Sequence, residues 1–322
     1  MTWTLIVLSW VWGGLLSQTP PIPTPTTEST SEIVMETHDT PPFETLTQAD
    51  LSVITGNVQR PNGMVWFNNK LYVVCTGDWT IYEIDSVTGS TKTYIYGVRN
   101  GHMLVAEADE NDQVTLWVPD FDTEKLLNVQ TTRAAQTTSD GYANPWGIAV
   151  LDAESFLVTN LGDDSLVRAT RSGEVFPVAE GFRSPTGVAV DNERVYIANS
   201  GSARRSIEWL DRAAIEAGES VTPEPLVDGL QSTSGMVLAP DGYLYFSYGL
   251  GTRGVVGRVD PNQCAEAGGC DNDQVEVVLY TDLSAPLSGL TVSDDMRLFI
   301  HTMFRPEIYW VQLPIVDAVD SE

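Results

Sequence analysis

Residues able to do chemistry are sparse in this chain, and six of them share one setting. Asn62, Asn100, Trp146, Thr186, Ser234 and Ser288 each stand directly before a glycine that opens a short apolar run. They supply amides, hydroxyls and one indole, which can hydrogen-bond or stack on a small ligand. No carboxylate stands among them. The chain has three histidines. His38 lies in a Pro/Thr-rich stretch, while His102 and His301 lie in apolar runs, where isolated core or channel imidazoles are the default reading. Cys264 and Cys270 bracket Ala-Glu-Ala-Gly-Gly. That loop can close as a disulfide; the competing reading, metal thiolates, lacks a third and fourth ligand at zinc spacing. Cys75, inside Leu71-Tyr72-Val73-Val74, reads as a buried thiol with no neighbouring His to activate it.

The elements that position these residues repeat. The glycines stand at 63, 101, 147, 187, 235 and 289, at intervals of 38, 46, 40, 48 and 54. Each opener, such as Thr186-Gly187-Val188-Ala189-Val190, is followed by a turn and a second apolar strand, such as Val195-Tyr196-Ile197-Ala198-Asn199. Turn residues separate them, as in Asn68-Asn69 and Pro240-Asp241-Gly242. A third strand and a looser fourth complete each unit. Four strands every 40 to 50 residues specify an all-β fold: a six-bladed β-propeller of four-stranded antiparallel blades. Blade two is the weakest copy, with Pro119 in its second strand. Tyr72, Trp117, Tyr196, Tyr245 and Phe299 are expected to pack between blades. A helical insertion is expected over residues 211–217. Both Leu51-Ser52-Val53-Ile54 and Tyr309-Trp310-Val311-Gln312-Leu313 look like partners in closing the ring.

The patterns Ser184-Pro185-Thr186-Gly187-Val188-Ala189-Val190 and Phe156-Leu157-Val158-Thr159-Asn160-Leu161-Gly162-Asp163-Asp164 resemble NHL repeats. More broadly, residues 60–313 resemble the six-bladed propellers related to gluconolactonase and SMP-30. The resemblance implies that the first strand of each blade lines the central channel, so the six pre-glycine residues and His102 form one channel mouth. It also suggests a divalent cation such as Ca2+ held by a Glu, Asn and Asp set, and Asn62 is similar to one of those ligand positions. The chain departs from that set, because no Asp or Glu occupies a pre-glycine position. Glu107, Asp109 and Asp120 could contribute only if blade two has a different register. The expectation is therefore no cofactor, with a single divalent cation as the alternative. Neither the several metal-bound His of NHL-class amidating lyases nor the His and Glu set of streptogramin lyases has a clear counterpart. The acid-rich turns at 107–112, 162–164 and 271–273 lack the ligand spacing of a high-affinity calcium loop and read as solvated turns.

Residues 1–17 are mostly apolar and too short to span a bilayer, which suits a signal peptide. Residues 18–47 hold six prolines and read as an extended linker, leaving 48–322 as the propeller. The expected location is extracytoplasmic: secreted, periplasmic or cell-envelope, with no membrane insertion once the signal is cleaved. The whole chain carries a formal charge of −27. Removing the five acids of the first 47 residues leaves −22 on the remainder. Such a charge excludes nucleic acid as a partner. A monomeric binding module for a protein, peptide or glycan is the first functional reading. A metal-dependent hydrolase or lyase acting on a small lactone or sugar acid is the second.

Overall fold

The computed structural model describes residues 44–314. The expected signal segment, nearly all of the linker and His38 lie outside those residues. Among the described residues twenty-four strands form six four-stranded sheets. The first, β1 (Ser52–Thr55), completes the last blade. Blade one is β2 (Pro61–Phe67), β3 (Lys70–Cys75), β4 (Thr80–Asp85) and β5 (Thr91–Tyr96). Blade two is β6 (Val105–Ala108), β7 (Val114–Asp120), β8 (Lys125–Gln130) and β9 (Arg133–Asp140). Blade three is β10 (Pro145–Asp152), β11 (Ser155–Asn160), β12 (Ser165–Thr170) and β13 (Val175–Glu180). Blade four is β14 (Pro185–Val190), β15 (Arg194–Asn199), β16 (Ile207–Asp211) and β17 (Glu224–Val227). Blade five is β18 (Met236–Leu238), β19 (Leu244–Leu250), β20 (Arg253–Val259) and β21 (Glu276–Ser284). Blade six is β22 (Gly289–Val292), β23 (Arg297–His301) and β24 (Ile308–Gln312), completed by β1.

The innermost strands touch in sequence around the axis, β2 meeting both β6 and β22. Both suspected closing segments are used. β1 pairs antiparallel with β24, with Ser52 opposite Trp310 and Val53 opposite Tyr309. Pairing starts slightly earlier than residue 48: the Leu46 N–H bonds the Val278 carbonyl and the Tyr280 N–H bonds the Leu46 carbonyl, each at 2.9 Å. The chain thus fastens the edge of blade five before completing blade six.

The expected aromatics pack in the clusters between blades. Tyr72, Tyr196, Tyr245 and Phe299 are fully buried and Trp117 nearly so. The expected helix is α1 (Arg212–Ala217), capped by the Asp211 carboxylate on the Ala214 N–H and ended by Gly218 at φ +72°. A second short helix, α2 (Pro261–Glu266), carries Cys264, which is bonded to Cys270. The Cys270 N–H donates to Leu226 O at 2.8 Å, so the loop from blade five fastens to the outer strand of blade four. Cys75 is a free, buried thiol whose pKa burial pushes up to about 12.

The recurring glycine has a geometric cause. In blades three and four the first strand carries one residue more than its partner: Pro145 pairs Asn160 while Ile148 pairs Val158, and Pro185 pairs Asn199 while Val188 pairs Ile197. This is a β-bulge, and it turns the residue before the glycine toward the axis. A Cβ on Gly147 would collide with the Thr186 carbonyl, and one on Gly187 would lie 2.7 Å from the Ser234 carbonyl. The blades meet too closely there for any side chain.

Blade two departs from the expected register. Gly101 pairs Asp120 as an isolated bridge, and the ladder resumes only at Val105 opposite Trp117. Gly101 therefore takes the place of Pro145 and Pro185, and His102 takes the place of Trp146 and Thr186. Asn100 falls two residues too early to be the channel-lining position.

Candidate functional site

The mouth consists of Asn62, His102, Trp146, Thr186, Ser234 and Ser288, one from each blade, with Asn100 beside them. The structure divides these residues into two groups. Thr186 and Ser234 serve the ring itself. The Thr186 hydroxyl lies 3.1 Å from Thr233 O and 3.2 Å from Ala198 O. Ser234 Oγ lies 2.9 Å from Ser247 Oγ and 3.2 Å from Leu287 O. These hydroxyls stitch neighbouring blades together and have little left to offer a ligand.

The other group, from blades six, one, two and three, retains unused hydrogen-bonding capacity. Asn62 is buried; its Nδ2 donates to Asn100 Oδ1 at 2.6 Å, and its Oδ1 has no partner. Asn100 passes the chain outward, its Nδ2 donating to Asp122 Oδ1 at 2.9 Å. The His102 ring stacks on Trp146 with centroids 3.4 Å apart and planes 10° from parallel. Phe121 presents to both rings at steep angles, 77° and 87°. His102 Nδ1 is buried without a partner, and burial drives its pKa down to about 3. His301, in β23, is wholly buried and its Nε2 also lacks a partner. Burial lowers its pKa to about 4. Its Nδ1 lies 3.5 Å from Ser288 Oγ. Each unmade buried hydrogen bond costs about 1–3 kcal/mol, so such atoms ask for an explanation.

His301 has a repeat counterpart. In blade three Thr159 Oγ1 accepts from the Gly147 N–H and donates to Thr186 O, at 2.8 and 2.7 Å. In blade five Ser247 Oγ accepts from the Gly235 N–H and donates to Leu287 O, at 3.0 and 2.9 Å. Blade six puts an imidazole where these blades use a hydroxyl.

Below the mouth the channel narrows to a cavity of about 220 Å³. Its wall passes from His102 and Ser288 to Met64, Ile148, Val188, Met236 and Leu290. A polar rim thus stands over an apolar shaft.

The carboxylates that the sequence left open for a cation are committed elsewhere. Asp120 is buried, with one oxygen accepting from Arg99 N at 2.8 Å and the other from Asp122 N and Thr123 N at 3.2 Å. It plays the part of Asn160 and Asn199, whose Oδ1 atoms accept from Ala143 N and Arg183 N. Asp109 Oδ1 closes its own turn on Asn111 N and Gln113 N. Glu107 bonds Trp117 Nε1 and Arg171 Nη1, at 2.7 and 2.6 Å, at the opposite end of the strands from the mouth. Among the described residues no group of three or more His, Cys, Asp or Glu is placed to hold a metal ion. Asp122 is bonded to Asn100 beside the mouth, but a single carboxylate falls short of the oxygen set that a hard cation takes, so no chemistry is routed through one.

Phe121 and Asp122 belong to the site but carried no repeat signal, because they lie in the turn after β7. Asp120 was the available clue: matching it to Asn160 and Asn199 gives the register of blade two.

No protein-family model matches this chain, and no curated protein matches it in sequence. Solved structures do match the fold. A gluconolactonase from Xanthomonas campestris superimposes with a TM-score of 0.61 at 15% identity, covering 82% of this chain and 89% of that one. A calcium-binding protein, regucalcin, from Agrobacterium tumefaciens gives 0.59 at 11% identity, over 84% and 95%. A streptogramin B lyase gives 0.55 at 13%, over 82% and 97%. The chain is a six-bladed β-propeller with the architecture of the gluconolactonase and lyase propellers, and at these identities the likeness defines the fold alone.

Proposed function

We propose that this protein is an exported, monomeric binding module whose channel mouth takes a neutral, polar group of a peptide, protein or glycan ligand. One observation carries the reading: Asn62, His102 and His301, on three successive blades, keep buried polar atoms without partners. An amide oxygen accepts hydrogen bonds, and a neutral imidazole offers one acceptor and one donor, so hydroxyls and amides of a ligand complement them. The Trp146 and Phe121 rings beside them add an apolar wall, and the shaft below admits a small apolar substituent. Binding needs no cofactor in this reading.

The test is a titration of tryptophan fluorescence against peptide and neutral saccharide panels, with Trp146→Phe to identify that indole's share of the signal and with Asn62→Ala and His102→Ala variants. Saturable quenching that both variants abolish supports the reading. Quenching that neither variant alters overturns it.

A second reading, metal-assisted lactonase- or lyase-like chemistry on a small lactone or sugar acid, is favoured by the Asn62–Asn100–Asp122 chain, which ends in a carboxylate near the rim. It requires about one divalent ion, such as Ca2+, per purified chain and lactone turnover that a chelator stops. Metal-free protein whose melt a chelator does not change leaves the binding module standing alone.

A further inference from the structure

Blades splay apart away from the axis, and the wedge between two blades must be filled or wetted. Between blades two and three, at the end opposite the mouth, the wedge opens into a shallow cleft of about 460 Å³. The pairing explains its chemistry. Across blade two, Val105 pairs Trp117, Trp117 pairs Asn128, and Asn128 pairs Gln136. One face of the sheet thus changes from apolar near the axis to amide-rich at the edge. Thr115 and Gln130 lie alongside, with Gln130 Nε2 donating to Thr115 Oγ1 at 2.8 Å.

Two guanidinium groups meet in this cleft. Arg171 comes from the turn between β12 and β13 and is held in place. Its Nε donates to Ala153 O at 2.8 Å, its Nη1 to Glu107 Oε1 at 2.6 Å, and it packs 4.4 Å from the Phe156 ring centre. Glu107 is fixed in turn by the Trp117 indole N–H. Arg133, on β9, is exposed; its Nη2 donates to Asn128 Oδ1 at 3.0 Å, and no described carboxylate forms an ion pair with it. Arg133, Arg171 and Glu107 sum to a local charge of +1 in a chain whose total is −27.

We infer that this wedge is a second binding site, for a sugar acid or the uronate residue of a glycan. A carboxylate fits the planar donor fork of arginine. Amides and hydroxyls that both donate and accept, from Asn128, Gln130, Gln136 and Thr137, suit vicinal hydroxyls. One carboxylate among many hydroxyls also suits the field: the surplus in the cleft is a single positive charge, and a polyanion would be repelled by the rest of the protein.

The test uses the full chain and three probes, D-glucuronate, D-glucose and inorganic sulfate, followed by calorimetry and by the indole N–H resonance of Trp117. Glucuronate is expected to bind saturably and shift that resonance. Arg133→Gln should weaken it about tenfold, and Gln130→Ala should weaken it as well. Sulfate binding as well as glucuronate reduces the cleft to an anion hole and overturns the inference. So does glucose binding equally well, an Arg133→Gln variant that binds normally, or glucuronate that does not bind. Arg133 is exposed, so its replacement leaves the fold intact; a melting curve of each variant verifies this.

Discussion

Two imidazoles, His102 at the mouth and His301 buried behind it in β23, are kept neutral by burial, and this has a consequence for acid stability. The folded pKa values, about 3 for His102 and about 4 for His301, lie below the ordinary histidine value of 6.5. Between pH 6.5 and 4 the unfolded chain therefore binds protons that the folded chain refuses. The contribution is fully present above pH 6.5 and is lost as pH falls toward 4 for His301 and toward 3 for His102. Each tenfold difference in proton affinity between the two states is worth roughly 1.4 kcal/mol. His301→Thr places a hydroxyl where blades three and five already carry Thr159 and Ser247. The variant should lose less stability than the parent between pH 7 and pH 4.5 in denaturant titrations. An unchanged acid limb would show that His301 is not the group responsible. The chemistry of Asn62 and His102 as residue types was legible in the sequence, since polar groups beside a recurring glycine stood out. Which of Asn100 and His102 reaches the axis was not, because that depends on a bulge one residue long. Nor could sequence distinguish Thr186 and Ser234, whose hydroxyls are spent on inter-blade bonds, from Asn62, whose Nδ2 bonds Asn100 while its Oδ1 keeps no partner: all three precede a glycine, and only the neighbouring blade decides.

The strand is the unit in which the repeat makes physical sense. Gly63, Gly147 and Gly187 sit where two blades approach without room for a Cβ. Gly147→Ala would push a methyl group into the Thr186 carbonyl, a backbone atom that cannot swing aside. The expected cost is roughly 2–4 kcal/mol, read as a lower denaturation midpoint. A variant as stable as the parent would mean that the blades can separate locally at little cost. The Cys264–Cys270 bond acts at the same scale. It closes a loop with a sequence separation of 6, worth about 2 kcal/mol of unfolded-chain entropy. Cys264→Ala together with Cys270→Ala should lower the melting temperature by roughly 4 °C, and reducing agent should then have no further effect. Strand number, order and the α1 insertion were legible because apolar runs, turn residues and spacing all agreed. The start of β6 was not, because Asn100-Gly101-His102 imitates the opener while lacking the proline of Pro61, Pro145 and Pro185. Of the wedge cleft the sequence showed nothing: its residues lie on four strands and a turn, and only sheet pairing assembles them.

For the molecule as a whole, stability rests on a ring that is closed without a covalent bond. No blade buries both faces alone, so opening one junction exposes two apolar faces at once. The closing device is β1, which pairs with β24, reinforced by Leu46 on the edge of blade five. Ile308 and Tyr309 of β24 are buried in the closed ring, and without β1 that strand becomes an unprotected edge. The folded part is also strongly acidic, so self-repulsion favours any opening that lets charges separate. A chain beginning at residue 58 keeps every other strand and should still lose cooperativity. Its melt should broaden and fall by more than the loss of one disulfide does, and the deficit should shrink in high salt as repulsion is screened. A synthetic peptide of residues 44–57, added in trans, should restore part of the midpoint in proportion to its concentration, because it binds only the folded ring. If the shortened chain melts as sharply and as high as the full one, closure is carried by the inner strands around the channel, and β1 is an ornament of the edge rather than the latch.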